Sequence, residues 1–332
     1  MKPGKLDPDF LEKLIQSFTS TDDRILVGSK IGEDATVIDM GKNVLIAKTD
    51  PITFVTDQIG YYAVQVNAND IACMGGDPKW FLATLLLPEH IRENEINAIF
   101  AQISSACKKD RIAFCGGHTE VTLGLDRPIV IGQMLGEAEK ANVVLKSNAR
   151  ENDHIVLAKQ IPIEATAIIA REKASELKKH CSDEFIRRCQ NYLFEPGIGV
   201  RDAAKIAMGN ARVHAMHDPT EGGLATALHE LAHAAGLGVL IDFSEILFSS
   251  EGKELCEHFD LNPLGVIASG SLIVVVPPED VHPLLAAYHN AGIIAGDIGI
   301  FKNHTFGKKL QIENKQIALP IFPRDEIVKI FS

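Results

Sequence analysis

Across residues 60–74 the apolar residues Ala63, Val64, Val66, Ile71, Ala72 and Met74 recur at helical spacing, and Gly75-Gly76-Asp77-Pro78 stops the helix behind them. Whatever fold the chain adopts must seat an apolar helix that carries Asn67, Asn69 and Asp70 near its end. These three are poor helix formers, and together they cost of order ~1 kcal/mol of helix stability or more. Polar groups kept at such a cost point to a use beyond the helix itself.

On either side, short segments punctuated by Gly and Pro give the organisation. Residues 37–40 and 43–48 are rich in β-branched residues and separated by Gly41-Lys42, which predicts a hairpin with Asp50 just past a strand end. Residues 80–87 read as a strand and 93–109 as an amphipathic helix. Residues 112–114 read as a short strand running into a Gly-Gly turn, and 128–135 as a further strand. Polar residues 146–153 mark a boundary, after which an apolar strand starts afresh at 155–158. The second half predicts helices over 164–179, 199–208, 224–235 and 281–291, and strands over 271–276 and 296–301. At 332 residues the chain exceeds the ~250 to 300 at which single cores stop growing, so two domains are expected, 1–148 and 149–332. Strands alternating with helices, without a Gly-x-Gly-x-x-Gly fingerprint, predict an α+β fold with helices packed on one sheet face.

Charge narrows the partners. Forty-four acidic residues against 33 basic, a formal charge of -11, weigh against nucleic acid or an anionic membrane. A nucleotide stays possible, because bound cations neutralise phosphates locally. No run approaches the ~18 apolar residues of a membrane span. The start has no apolar run of a signal peptide, and the six cysteines form no Cys-x-x-Cys pair. The sequence therefore predicts a cytoplasmic protein with reduced thiols.

Five motifs offer chemistry. In Gly32-Glu33-Asp34-Ala35-Thr36 a glycine permits close backbone approach and the carboxylates are hard oxygen ligands of the kind Mg²⁺ takes; a solvated turn is the plainer alternative. Thr49-Asp50-Pro51 places a carboxylate after a strand, as a metal ligand or as a cap. The cluster Asn67, Asn69 and Asp70 is the third. In Gly116-Gly117-His118-Thr119-Glu120, backbone N–H groups and the three polar side chains suit phosphate or metal. In Asp218-Pro219-Thr220-Glu221-Gly222-Gly223, Asp218 and Thr220 either cap the next helix or leave its N–H groups to an anion.

Taken in order, these motifs resemble those of the superfamily of aminoimidazole ribonucleotide (AIR) synthase, selenophosphate synthetase, thiamine-monophosphate kinase and the hydrogenase expression/formation protein HypE. Gly32-Glu33-Asp34-Ala35 resembles its Gly-Asp-Asp-Ala turn, and residues 67–78 resemble its Val-Asn-Asp-Leu-Ala-Met-Met-Gly-Ala-x-Pro helix end. Gly116-Gly117-His118-Thr119 resembles its Gly-Gly-Asp-Thr, and residues 218–228 resemble HypE's Asp-Pro-Thr-Arg-Gly-Gly-Leu-Ala-Thr-Ala-Leu. The resemblance implies a two-domain AIR synthase-like protein, with an N-terminal α/β domain that forms a β-barrel with a second subunit and a C-terminal α+β domain. It implies ATP and Mg²⁺ as cofactors, a homodimer, and a maturation partner protein. Carried over residue by residue, it makes Asp34, Asp50, Asp70 and Glu120 metal ligands and Asp70, His118 and Asp218 catalytic. Gly32, Asn67, Asn69, Gly116, Gly117, Thr119, Thr220, Gly222 and Gly223 would hold the nucleotide.

Two departures qualify the carry-over. HypE ends in Pro-Arg-Ile-Cys, whose cysteine receives a carbamoyl group. Here Pro323-Arg324 is followed by Asp325 and no cysteine as far as Ser332, and a serine is a much weaker nucleophile. His118 stands where many relatives have aspartate, a better Mg²⁺ ligand than imidazole, which leaves Glu120 to compensate. The expected activity is ATP-driven activation of an oxygen of a small or carrier-bound substrate by phosphorylation. Alternatives are an ATP-binding paralogue acting as a regulatory subunit, a thiamine-monophosphate-kinase-like small-molecule kinase, and a zinc hydrolase on His229, Glu230 and His233.

Overall fold

The computed structural model describes residues 6, 8–20, 22–28, 33–53 and 55–331. Gly32, expected at the nucleotide, lies outside the described residues. The chain forms two compact units: the first takes the described residues of 19–28 and 34–143, the second those of 6–18, residue 33, and 144–331. Helix α1 (Pro8–Phe18) therefore belongs to the second unit.

In the first unit β1 (Ile25–Val27), β2 (Thr36–Asp39) and β3 (Asn43–Ile52) lead into α2 (Ile59–Cys73). Then come β4 (Asp77–Leu87), α3 (Glu93–Lys109), β5 (Ala113–Val121) and β6 (Ile129–Glu139). The sheet order is β1-β2-β3-β6-β4-β5, antiparallel throughout except for β4 and β5. A parallel pair needs a crossover, and α3 supplies it. Along β3 the period-two alternation is plain: Val44, Ile46 and Ile52 are buried while Thr49 and Pro51 are exposed. Helix α2 packs on β3, β6, β4 and α3, and every residue of it but Val66 is buried. A helix covered on all sides has apolar residues all round, with its polar groups turned to partners.

Two sequence expectations fail here. Asp50 is inside β3, opposite Gly132, because β6 pairs with that strand along its whole length to Ile52. The expected Gly-Gly turn is part of the continuous strand β5. Its register against β4 slips between Phe81 and Leu82, leaving Cys115 as the extra residue of a bulge. Gly116 and Gly117 have φ of +133° and +144°, and a Cβ on Gly117 would run into the Ala83 carbonyl of β4.

The second unit contains β7 (His154–Ala158), α4 (Ile163–Glu172), α5 (Ala174–Leu177), α6 (Asp183–Asn191), α7 (Arg201–Asn210), β8 (Ala215–His217) and α8 (Gly223–Ala235). It continues with β9 (Gly238–Asp242), α9 (Ser250–His258), β10 (Leu272–Val276), α10 (Pro278–Asn290), β11 (Ala295–Lys302), β12 (Lys308–Ile312) and β13 (Lys315–Ala318). Its sheet runs β13-β12-β9-β11-β7-β10-β8. The central strand β10 is buried at every residue, and Leu224, Leu228 and Leu231 of α8 pack into the same core as Ile155, Leu157, Ile273 and Val275. The mixed α+β class stands as expected. The single helix expected over 164–179 breaks at Lys173 into α4 and α5. Lys146, read as part of a polar boundary, is buried. Among the described residues no helix is long and apolar enough to cross a membrane.

Candidate functional site

In the first unit, three carboxylates gather around one ammonium. Period two carries Lys48 and Asp50 onto the face of β3 that bears buried Val44 and Ile46, and α2 brings Asp70 to the same place. Lys48 Nζ lies 3.2 Å from Asp50 Oδ2 and 3.0 Å from Asp70 Oδ2. Burial would lower the pKa of Lys48, but the carboxylates of Asp70, Asp50 and Asp34 outweigh it and hold the ammonium well above its ordinary value. Carboxylate oxygens from a strand and a helix thus converge on a single cationic atom. Hard oxygen donors with that convergence fit Mg²⁺.

Asn67 bonds to the backbone of β3 and of its own helix. Its Oδ1 accepts from the Asp50 backbone N–H at 2.9 Å, while its Nδ2 donates to the carbonyls of Asp50 at 3.3 Å and Ala63 at 2.9 Å. The side chain clamps the backbone that presents Asp50. Asn69, next to Asp70 in α2, is fully buried.

His118, Thr119 and Glu120 lie elsewhere on the sheet. The register aligns Asp50 with Gly132, Gly132 with Ala83, and Ala83 with Gly117. Three strand spacings separate the two ends of that row, roughly 14 Å. Within one chain, Glu120 cannot share an ion with Asp50. It turns instead to His118 Nε2 at 3.1 Å and accepts from Thr122 Oγ1 at 2.7 Å. Those bonds, Thr122 first, hold its carboxyl below the ordinary value.

The second unit builds its polar cluster around the turn before α8. Helix α8 has Gly222 at its N-cap position, which neither Asp218 nor Thr220 occupies. The Gly222 N–H instead donates to Asp325 Oδ2 at 2.6 Å, and Asp325 Oδ1 accepts from Ile327 N–H at 2.8 Å. A carboxylate of the chain's own thus takes a place at which the sequence allowed for an anion. Gly223 follows because a Cβ there would strike the carbonyls of Leu264 and Val266. Burial pushes Asp325 up to about 6 against its backbone N–H bonds. Glu164 of α4 is pushed to about 7, by burial and then by Asp325 and Asp218, against bonds from Ser269. Asp218 itself is buried. Beside the turn, His217 Nε2 lies 2.7 Å from Glu230 Oε2 and 3.2 Å from Lys146 Nζ.

The zinc-protease pattern does not assemble. His229 Nε2 faces the carbonyls of Leu319 and Pro320 at 3.3 and 3.2 Å, and Glu230 faces His217. Among the described residues His229, Glu230 and His233 form no ligand group.

Residues 32–138 match the model of the AIR synthase related protein N-terminal domain, and residues 150–307 match that of its C-terminal domain. The chain belongs to the AIR synthase related protein family. It is 27% identical over 288 residues to carbamoyl dehydratase HypE of Bradyrhizobium diazoefficiens, which covers 81% of this chain and 77% of that one. It is 31% identical over 201 residues to thiamine-monophosphate kinase of Bacillus subtilis, covering 60% and 59%. Hydrogenase maturation protein HypE in complex with ATP shares the fold at a TM-score of 0.68 with 20% identity, over 95% of this chain and 91% of that one. The motifs of the AIR synthase related resemblance did not single out Lys48, Glu164, Asp325 or the pairing of His217 with Glu230. Of these only Lys48 left a signal, a lysine in phase with the buried positions of an apolar strand.

Proposed function

We propose that the chain is an ATP- and Mg²⁺-dependent enzyme that activates an oxygen of a small or carrier-bound substrate by phosphoryl transfer. The convergence of Asp50 and Asp70 on one cationic atom carries this reading. The names of the relatives support it, since they include a carbamoyl dehydratase, a thiamine-monophosphate kinase and a HypE bound to ATP. Asp34, Asp50 and Asp70 would hold Mg²⁺. The ion would clamp the nucleotide phosphates and offset the charge of the transferring group. Asn67 keeps Asp50 in place from behind.

His118 and Glu120 stand too far along the sheet to serve that ion, so we assign the pair to the substrate. His118 donates its Nε2–H to Glu120, which leaves Nδ1 as the nitrogen that can take a proton from a hydroxyl. Thr119, Gly116 and Gly117 sit beside them on an exposed edge strand. We further propose a cytoplasmic homodimer in which that edge meets a second copy, in line with the barrel that the resemblance implies.

Isothermal titration of ATP with Mg²⁺ tests the reading in the wild type and in Asp70→Asn. The substitution keeps shape and removes one charge, and the expected loss of affinity is about tenfold or more. Equal affinities would remove Asp70 from the site. Turnover with a panel of phosphate acceptors, thiamine monophosphate among them, then separates a kinase from an ATP-binding regulatory subunit.

A further inference from the structure

Lys48 is the one member of the acidic cluster that the ATP reading leaves without a task. Its ammonium nitrogen is within hydrogen-bond distance of Asp50 and Asp70 at once, and it feels Asp34 as a third carboxylate. The lysine is two residues from Asp50 on the same strand and on the same face, so its presence there is built in. A Mg²⁺ ion needs oxygens at about 2.1 Å. An ammonium at 3.0 and 3.2 Å from two of those oxygens takes the space between them. The two cations are therefore alternatives for the same pair of carboxylates. A side-chain ammonium also has an advantage that a dissolved ion lacks, because its tether fixes a high local concentration.

We propose that Lys48 is a tethered cation filling the seat between Asp50 and Asp70, so that the cluster takes one divalent cation fewer than its carboxylates would otherwise hold. This deepens the Mg-ATP reading and rests on it only for the nucleotide. Lys48 is a specificity-determining residue in this sense: it sets how many ions the site accepts and leaves Asp34 and the outer carboxylate oxygens for the one delivered with the phosphates.

The test counts Mn²⁺ bound per chain by electron paramagnetic resonance, without nucleotide, in wild type, Lys48→Met and Lys48→Arg. The expected result is one more Mn²⁺ per chain in K48M and the wild-type count in K48R, which keeps the charge. Equal counts in wild type and K48M overturn the proposal, and so does an extra ion in K48R. If K48M is poorly folded without metal, thermal unfolding replaces the count. Saturating Mn²⁺ should then raise the Tm of K48M by about 5 °C more than that of the wild type, and an equal shift overturns the proposal. Titration of wild type with Mg-ATP is read separately. An extra Mn²⁺ in K48M with no ATP binding by the wild type sinks the nucleotide reading and keeps the cation seat.

Discussion

Both units bury carboxylates, and they treat them in opposite ways. In the first, Asp50 and Asp70 face an ammonium, so burial is offset by an opposite charge supplied from the same strand. In the second, Glu164 and Asp325 meet mainly neutral donors, the Ser269 side chain and backbone N–H groups, beside other acids. The first arrangement favours ions; the second pushes its acids toward the protonated form.

The largest effect expected to sharpen this contrast lies at Glu164. Burial raises its carboxyl from 4.5 to about 7 in the folded state. The folded form therefore holds a proton that the unfolded chain gives up. The resulting stabilisation is complete below about pH 4.5 and is lost as pH rises through 7. Glu164→Gln removes the titration, so the drop in unfolding free energy between pH 5 and 8 should shrink by roughly 3 kcal/mol. Urea denaturation at both pH values measures it, and parallel behaviour of the two proteins would erase the distinction between the units. Asp325, pushed to about 6, adds a slope of the same sign. Lys48, raised well above its usual value, keeps its contribution across that whole window.

Asn67→Ala is the next largest. It removes both bonds to the Asp50 backbone and strands a part-buried N–H, for a loss of roughly 2 kcal/mol. Because Asp50 then loses its support, Mn²⁺ affinity should fall as well. A variant that lost stability and kept its affinity would show the clamp to be structural only. The smallest effect is expected for His118→Ala on the exposed strand β5. Its Tm should stay within about 1 °C of wild type, as for most surface positions. Its Mn²⁺ affinity should stay within about twofold, since roughly 14 Å of sheet separates it from Asp50. A tenfold loss would break the assignment of His118 to the substrate.

How much of this was legible in the sequence depended on the range of the interaction concerned. Helix α2 was plain because its apolar spacing and its Gly75-Gly76-Asp77-Pro78 stop are local. The polar residues in it stand out from their apolar surroundings, yet what Asn67 does depends on Asp50 lying across from it, a fact of packing. The Gly116-Gly117 pair carries the same local signal for a turn and for a bulge, and only the register against β4 separates the two. Glu164 sits in a run of apolar helix residues, and nothing near it in sequence announces Ser269 as its partner. Asp325 was likewise silent, because the N–H it accepts from belongs to a glycine 103 residues away. Short elements such as α6 and β13 escaped notice because they bury two residues and none.

The grouping of α1 with the second unit has a consequence for how the chain is made. The first unit is an insertion between α1 and the rest of its own unit. During synthesis the ribosome releases α1 before residues 34–143, and only afterwards the strands that share α1's unit. The inserted unit can therefore finish folding while the helix ahead of it still waits for its companions. A version of the protein begun after Phe18 would spare the cation seat and remove part of the other unit.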